Sequence, residues 1–318
     1  MVEPAPERTL LVVIGPTAGG KTRLAIELAR RVGGECIGAD SMQVYRGMDI
    51  GTAKPTAEER AAVPHHLLDI ADPRTEGFTV EEWRRLAESA IADIRSRGRV
   101  PIVVGGTSLY LRALLEGLFA GPDPDPALRA ELDAMPPGEL RAELARVDPA
   151  AADRIHPHDR RRTQRAVEVF RQTGRPISTV QAEWSERLST RAHPEARIVG
   201  LEWPVEAINR RINARVKAMF AGGLLEEART LRGLGPLGRQ AREAVGYGEA
   251  FGVLDGSLPL EEAITRTKIR TRRYAKQQRT WLRRFRTIPG SIWLDAGGES
   301  EENLVGLAGA AAFPEIRA

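Results

Sequence analysis

The chain has one cysteine among its 318 residues, Cys36, so it can form no intramolecular disulfide and no Cys-rich zinc site. It has no apolar run approaching the roughly 20 residues that a membrane-spanning helix needs, and no signal peptide precedes Leu10. We therefore expect a soluble, cytoplasmic protein with no membrane partner. The length and the 42% hydrophobic content suffice for one large domain and a smaller one.

Histidine is scarce as well, with five residues in the chain. His65 with His66, and His156 with His158, have spacings that metal ligands sometimes show. Surface or hydrogen-bonding histidines are the more common explanation of such pairs. We therefore expect no zinc in this protein.

Acidic residues are missing from one long segment of the chain. The net charge is only +4, yet residues 266–286 contain ten Lys or Arg residues and no Asp or Glu. A second basic cluster, Arg160-Arg161-Arg162 with Arg165, lies near the middle of the chain. Charge runs usually mark solvated faces, but two separate basic clusters favour a polyanionic partner such as nucleic acid.

An apolar run at 10–14 leads into a glycine-rich sequence of the form G-x-x-x-x-G-K-T, and an amphipathic segment follows. The motif consists of Gly15, Pro16, Thr17, Ala18, Gly19, Gly20, Lys21 and Thr22. The order strand, turn, helix predicts a P-loop, whose backbone N–H groups bind phosphate oxygens at a helix N-terminus. Lys21 adds charge for the phosphates, and the Thr22 hydroxyl is placed to ligate Mg²⁺. The motif is typical of nucleotide-binding and ATP-binding proteins.

Short apolar segments alternate with helical patterns through the first third of the chain. We predict strands at 10–14, 35–39, 66–70 and 100–104, and helices at 21–31, 80–97 and 108–118. This alternation predicts an α/β protein with a P-loop NTPase-like, doubly wound parallel sheet.

Three prolines between positions 121 and 126 interrupt that pattern. Residues 120–196 have helical spacing and no clear strand, which predicts a helical insertion between two parts of the core, 1–119 and 197–318. In the second part we predict a strand at 197–202, a helix at 206–220 and a long basic helix. The apolar stripe of that basic helix is expected to be core and comprises Tyr274, Trp281, Leu282 and Phe285.

Two polar groups follow predicted strands, where the carboxyl ends of a parallel sheet should bring them to the P-loop. Asp40 can bind Mg²⁺ through water, accept a proton, or cap the next turn; its position favours a functional carboxylate. Thr107, after Gly105-Gly106, can face an oxyanion or cap the following helix.

No apolar run ends in the Asp-Glu pair of a water-activating ATPase, which favours transfer to a bound acceptor over hydrolysis. From the residues alone we predict a P-loop transferase with polyanion-binding surfaces. A small P-loop kinase is one alternative, but it leaves the basic helix without a role. An RNA-binding protein with a structural nucleotide site is another, and it leaves Asp40 and Thr107 unexplained.

A series of motifs makes a more specific identification possible. They are Gly-Pro-Thr-Ala-x-Gly-Lys-Thr at 15–22, Asp-Ser-Met-Gln-Val-Tyr at 40–45, Gly-Met-Asp-Ile-Gly-Thr-Ala-Lys-Pro at 47–55, Pro-His-His-Leu-Leu-Asp at 64–69, Gly-Gly-Thr-Ser-Leu-Tyr at 105–110, Arg-Ala-Val-Glu-Val-Phe at 165–170, Val-Gly-Tyr at 245–247 and Gln-Arg-Thr-Trp-Leu-Arg at 278–283. In this order and spacing the chain resembles the bacterial tRNA dimethylallyltransferases from about residue 10 to residue 295.

The resemblance implies transfer of a dimethylallyl group from dimethylallyl diphosphate to the exocyclic N6 amine of the adenine adjacent to the anticodon. The P-loop then holds the diphosphate of the prenyl donor, and Mg²⁺ is the expected cofactor. The resemblance also implies that Asp40 is the base near the adenine amine and that Thr107 contacts the substrate. The expected partners are the tRNA anticodon stem-loop and the donor, and a monomer is expected.

Together with the basic helix, the resemblance implies a set of tRNA-binding residues. The set is Asp40, Ser41, Met42, Gln43, Thr107, Arg129, Arg161, Arg162, Thr163, Gln164, Arg165, Gly246, Tyr247, Lys276, Arg279 and Arg283. The chain departs from the family pattern at Gly20, where Ser is usual, at Gly248, where Lys or Arg is common, and at Arg161 and Gln277. These departures alter local contacts and leave the backbone cradle intact. The zinc finger of eukaryotic relatives is excluded by the single cysteine.

Overall fold

The computed structural model describes residues 9–117, 121–123, 125–187 and 192–313. The chain forms two compact units, one made of Met1–Leu115 and His193–Ala318 and the other of Glu116–Ala192. None of the helices in these described ranges is long and apolar enough to cross a membrane.

The first unit is built on a parallel sheet of six strands. The strands are β1 (Leu10–Ile14), β2 (Gly34–Ala39), β3 (His65–His66), β4 (Val100–Gly105), β5 (Ala196–Glu202) and β6 (Ile292–Asp295). Their order across the sheet is β3-β2-β4-β1-β5-β6, with every neighbouring pair parallel. Every residue of β1 and β4 is buried, which explains why these strands are almost uninterrupted apolar runs. The predicted α/β class with a parallel sheet is confirmed.

Helices cover the sheet and extend beyond it. Those of the first unit are α1 (Lys21–Val32), α2 (Ala57–Ala62), α3 (Val80–Ser96), α4 (Ser108–Glu116), α10 (Val205–Ala221), α11 (Leu224–Gly233), α12 (Arg239–Arg242), α13 (Tyr247–Leu254), α14 (Leu260–Leu282) and α15 (Glu301–Ala312). A 3-10 helix, Arg283–Thr287, continues α14. Trp83 of α3 is fully buried, donates its indole N–H to the Gly38 carbonyl at 2.8 Å and stacks on Tyr110 of α4. These contacts fix α3 and α4 against one end of the sheet.

Two of the predicted elements are wrong in detail. The strand predicted at 66–70 ends at His66, because Leu67 and Asp69 adopt positive φ angles of 61° and 58° that no strand accommodates. The turn brings the Asp69 carboxylate to Lys54 Nζ at 2.5 Å. The helix predicted at 108–118 ends at Glu116, before Gly117 with its φ of 83°, and Leu118 lies outside the described residues.

The predicted core stripe of the basic helix is also wrong at one position. Leu282 and Phe285 are buried as expected, with 1% and 0% of their surface exposed, whereas Trp281 is 44% exposed. Trp281 is still part of α14, and the stripe fails there because helical spacing alone does not show which end of a stripe the rest of the fold covers.

The second unit is entirely helical in its described part. Its helices are α5 (Pro126–Ala134), α6 (Pro137–Val147), α7 (Pro149–Arg154), α8 (Arg160–Thr173) and α9 (Ile177–Arg187). Leu132, Leu140, Leu144 and Val167 pack into a core of their own. The buried carboxylate of Glu168 accepts hydrogen bonds from Arg129 and Arg165, which ties α8 to α5.

Candidate active site

The glycine-rich loop joins β1 to α1, as predicted. Ala18 and Gly20 adopt positive φ angles of 61° and 87°, and the Gly19 N–H donates to the Pro16 carbonyl at 3.1 Å. The N–H groups of the first turn of α1 have no intrahelical acceptors and lie at the positive end of the helix dipole. The loop therefore presents a surface that binds anions.

Two side chains of the first unit, from residues after β5, bind backbone carbonyls of this loop. Trp203 donates its indole N–H to the Gly19 carbonyl at 3.1 Å. Arg211 of α10 donates to the Ala18 carbonyl at 2.8 Å and lies 4.6 Å above the Trp203 ring. Because these donors bind the carbonyls of Ala18 and Gly19, they stabilise the conformation of the loop.

A cavity opens at the carboxyl ends of β1, β2 and β4, beside the loop. Its polar lining residues include Thr17, Lys21, Thr22, Asp40, Arg215 and Gln278. Its lining also includes the apolar residues Ala53, Pro55, Leu68 and Val104. The cavity therefore offers both charged and apolar groups to a ligand.

Lys21 lies within this cavity. Its Nζ donates to the Pro16 carbonyl at 2.8 Å. Burial lowers the pKa of Lys21 to about 8, although the Asp40 carboxylate nearby raises it and the Arg215 guanidinium lowers it further. The nearby Asp40 carboxylate therefore offsets only part of the effect of burial on the Lys21 ammonium. A bound anion would raise the pKa again and keep the ammonium protonated.

Asp40 performs two tasks with its two oxygens. Oδ1 accepts the N–H of Met42 at 2.9 Å and the N–H of Gln43 at 3.4 Å, which is the capping role that a lone Asp often takes. Oδ2 accepts no hydrogen bond from the described residues, and the carboxylate lines the cavity. One oxygen is thus fixed by the turn, and the other can accept a proton or a hydrogen bond from a ligand.

Thr107 follows β4 and contacts the end of the neighbouring strand β2. Its hydroxyl accepts the Ser41 N–H at 3.0 Å, and its own N–H donates to the Ala39 carbonyl at 3.2 Å. Burial raises the pKa of Tyr274, and the nearby side chains of Thr107 and Gln278 oppose that shift. Thr107 therefore orients the turn that carries Asp40, whatever substrate contact it also makes.

Gln278 of α14 was not identified from the sequence. Its Oε1 accepts the Thr17 N–H at 2.8 Å, and its Nε2 donates to the Gly106 carbonyl at 2.9 Å. The side chain is almost fully buried, with 3% exposed. It links the P-loop to the loop after β4, two segments that the sequence predicted would meet.

Arg215 of α10 was missed as well. It lines the cavity with Lys21, Thr22 and Asp40, and no acidic side chain in the described part of the chain forms an ion pair with it. Burial lowers the pKa of its guanidinium, while the Asp40 charge opposes that shift. A partly buried cation without an ion-pair partner is costly and is a candidate anion-binding group. Its position one turn after Arg211 gives no local sequence signal that separates it from a surface arginine.

Several predicted tRNA-binding residues of the first unit make intramolecular contacts or lie at turns in the structure. Gln43 donates to the carbonyls of Thr52 and Ala53 at 3.1 Å. Tyr247 is fully buried and donates its hydroxyl to Glu227 at 2.6 Å. Gly246 has a φ of 95° and is the N-cap residue that precedes α13. Ser41 and Met42 lie in the turn after Asp40, and each is partly exposed.

The predicted basic residues differ in what they contact. In the second unit, Arg129 and Arg165 bind Glu168, Gln164 donates to Asp133, and Thr163 is buried; Arg161 and Arg162 are exposed. In the first unit, Lys276, Arg279 and Arg283 are exposed or partly exposed. None of these three forms an ion pair with another described residue.

Comparison with known proteins identifies a family. The model of the family described as IPP transferase matches residues 43–285. A tRNA dimethylallyltransferase of Anaeromyxobacter dehalogenans strain 2CP-C is 50% identical over 289 residues, covering 90% of this chain and 94% of that protein. The tRNA dimethylallyltransferase of Geobacillus kaustophilus is 47% identical over 291 residues, covering 90% and 91% respectively.

Solved structures agree with the sequence comparison. The full-length tRNA isopentenylpyrophosphate transferase of Bacillus halodurans is 39% identical, with a TM-score of 0.69 over 98% of both chains. A eukaryotic dimethylallyltransferase acting on tRNA is 30% identical, with a TM-score of 0.79 over 93% of this chain and 76% of that one.

Proposed function

Because this chain belongs to the IPP transferase family, whose curated relatives are tRNA dimethylallyltransferases, we propose that it transfers a dimethylallyl group from dimethylallyl diphosphate to tRNA. The acceptor is the exocyclic N6 amine of the adenine adjacent to the anticodon, and diphosphate is released. The observation that carries the proposal is the free oxygen of Asp40 in the same cavity as Lys21 and Arg215. A cavity with these residues can hold an anionic leaving group and accept a proton.

The P-loop and the cationic residues of the cavity form the proposed diphosphate site. The amides of the P-loop, Lys21 and Arg215 together supply the donors and positive charge that a diphosphate needs. The apolar residues of the lining, which include Pro55 and Leu68, are suited to the dimethylallyl chain.

Mg²⁺ fits this donor set. The described residues contain no cluster of three or more His, Cys, Asp or Glu side chains that could hold a metal on their own. Mg²⁺ needs no such cluster, because it usually binds through one or two protein oxygens together with phosphate oxygens and water. The Thr22 hydroxyl, which lines the cavity, is the ligand we assign to it. Bound Mg²⁺ would supply charge neutralisation to the diphosphate.

The reaction forms a bond from adenine N6 to C1 of the donor and breaks the bond from C1 to the diphosphate oxygen. The amine is a poor nucleophile, because its lone pair is delocalised into the purine ring. Asp40 accepts the amine proton as the new bond forms, and its other oxygen stays fixed by the amides of Met42 and Gln43. Lys21 and Arg215 stabilise the charge that accumulates on the leaving diphosphate.

A base stacked within an anticodon loop cannot reach the cavity unless it is flipped out of the stack. We propose that Lys276, Arg279 and Arg283 bind the tRNA backbone, because they are accessible and lack ion-pair partners among the described residues. Arg161 and Arg162 are the exposed candidates in the second unit.

A transfer assay with alternative donors tests the proposed function. Unmodified tRNA is incubated with the protein and either dimethylallyl diphosphate or ATP. The tRNA is then digested, and the masses of its nucleosides are measured by mass spectrometry. We expect a dimethylallyl-adenosine only with the prenyl donor. A phosphorylated product with ATP would support a kinase, and tRNA binding without any product would support an RNA-binding protein.

The affinity for the donor should depend on the protonation of Lys21. Because burial lowers the pKa of Lys21 to about 8 in the free protein, the ammonium is lost as the pH rises through that value. The dissociation constant of dimethylallyl diphosphate, measured by calorimetry from pH 6.5 to 9.5, should therefore increase above about pH 8. Lys21→Arg, whose guanidinium keeps its proton throughout, should lack this increase. An equal increase in the variant would assign the titration to another group.

The salt dependence of tRNA binding should identify the basic residues that contact phosphates. Lys276→Ala, Arg279→Ala and Arg283→Ala should each reduce the slope of log K against log salt by about 0.7 to 0.9. Arg266→Ala is the matched control, because Arg266 lies on the same helix and already pairs with Glu262. An unchanged slope in all three variants would remove them from the tRNA interface.

A further inference from the structure

Trp281 is exposed where the apolar pattern predicted a core residue. Its side chain is 44% exposed, and it lies in the last turn of α14. Among the described residues, its indole has neither a ring contact nor a hydrogen-bond partner. A tryptophan exposed to this extent, with no ring contact or hydrogen bond among the described residues, is a candidate contact for another molecule.

The helical spacing relates Trp281 to the active site. Tyr274, Gln278 and Trp281 are separated by four and three residues, so they follow one another along the same stripe of α14. Gln278 binds the P-loop amide and the Gly106 carbonyl. Trp281 lies one turn further, about 4.5 Å along the helix axis. The face of α14 that contributes Gln278 to the cavity therefore also carries Trp281, whose side chain is exposed.

The charges around Trp281 indicate the chemistry of its partner. Lys276, Arg279 and Arg283 lie within five residues of it, without ion-pair partners among the described residues. No Asp or Glu occurs between Arg266 and Arg286. An aromatic ring among accessible cations is typical of surfaces that bind unpaired nucleotides, because the cations bind phosphates and the ring stacks on a base.

We propose that Trp281 stacks on an unpaired base of the anticodon loop next to the target adenine. This inference rests on the proposed transfer to tRNA. When the adenine is flipped into the cavity, the neighbouring base loses its stacking partner, and the indole replaces it. A second copy of the chain is a poor occupant of this surface, since the same cations would face one another across the interface.

Steady-state kinetics of three variants test the stacking. Trp281→Ala should raise the KM for tRNA about 5- to 100-fold, the range that base stacking on an aromatic ring supports. Trp281→Phe should restore most of the affinity, whereas Trp281→Leu, which is apolar but not aromatic, should not. Ile269→Ala is the matched control, an exposed apolar residue on another face of α14, and should leave the KM unchanged.

Three further readouts separate stacking from other roles. In Trp281→Ala, the KM for dimethylallyl diphosphate and the turnover number at saturating tRNA should stay within twofold of the wild type. The melting temperature should equal that of the wild type within experimental error. The salt slope of tRNA binding should also be unchanged, in contrast to Lys276→Ala, because a stacked base releases no counterions. Quenching of tryptophan fluorescence by an anticodon stem-loop should be smaller in Trp281→Phe than in the wild type.

Other results would overturn the stacking proposal. They are an unchanged KM for tRNA in Trp281→Ala, equal rescue by Leu and Phe, or a change of oligomeric state without a change in tRNA affinity. A wild-type protein that binds tRNA with normal Trp281-dependent quenching but transfers no prenyl group would instead refute the proposed function and leave the stacking intact.

Discussion

Asp40→Asn should reduce the turnover number for prenyl transfer by about 10²- to 10⁴-fold, the usual contribution of a general base. The variant keeps an oxygen that can accept the N–H groups of Met42 and Gln43, so the turn and the fold should persist. It loses only the ability to take the amine proton. Rapid-quench kinetics at saturating tRNA and donor would measure the effect.

The control for this variant is Asp72→Asn, which changes an aspartate that pairs with Arg74 rather than lining the cavity. The control should retain wild-type turnover. The dissociation constant for the donor should change little in Asp40→Asn. If Asp40→Asn turns over at the wild-type rate, its carboxylate serves only as a cap.

Arg215→Ala should lower kcat/KM for the donor by about 10²- to 10³-fold, the usual effect of removing one group that stabilises charge in the transition state. The guanidinium lines the cavity beside Lys21 and has no ion-pair partner in the described part of the chain. Its removal should not lower the melting temperature, because a partly buried charge without a counterion does not stabilise the fold.

Arg210→Ala provides the comparison, since Arg210 is an exposed neighbour on the same helix. It should behave as the wild type in both kinetics and melting. A stability loss in Arg215→Ala with normal donor binding would make Arg215 a structural residue and leave Lys21 as the main side-chain cation of the site.

The sequence predicted those parts of the site that have local signals. A strand, a glycine-rich turn and a helix follow one another within residues 10–32, so the P-loop was evident from spacing alone. Asp40 follows β2 and Thr107 follows β4, and parallel strands align their carboxyl ends. Asp40 lines the P-loop cavity, and Thr107 binds the turn that carries Asp40.

Arg215 and Gln278 were missed for a common physical reason. Each lies on a helix far along the chain and reaches the cavity through tertiary packing of α10 and α14. On either helix its residue type and spacing match those of surface positions. Local periodicity likewise misplaced Trp281, because helical spacing does not show whether the rest of the fold covers that end of α14.

Local sequence patterns also failed to predict the turn after β3. The mainly apolar segment 66–70 was predicted to be a strand, yet Leu67 and Asp69 adopt positive φ. Asp69 binds Lys54 and Arg60, two residues from the preceding segment. Ion pairing across a loop is not visible in the periodicity of either segment.

The central claim is that one cavity couples departure of the donor's diphosphate to prenylation of the tRNA. The most direct test is to measure diphosphate release and dimethylallyl-adenosine formation in the same single-turnover reaction, with and without tRNA. We predict equal rates and a one-to-one ratio with tRNA, and no diphosphate release without it. Diphosphate release in the absence of tRNA at the same rate would contradict the account, because the cavity would then serve hydrolysis.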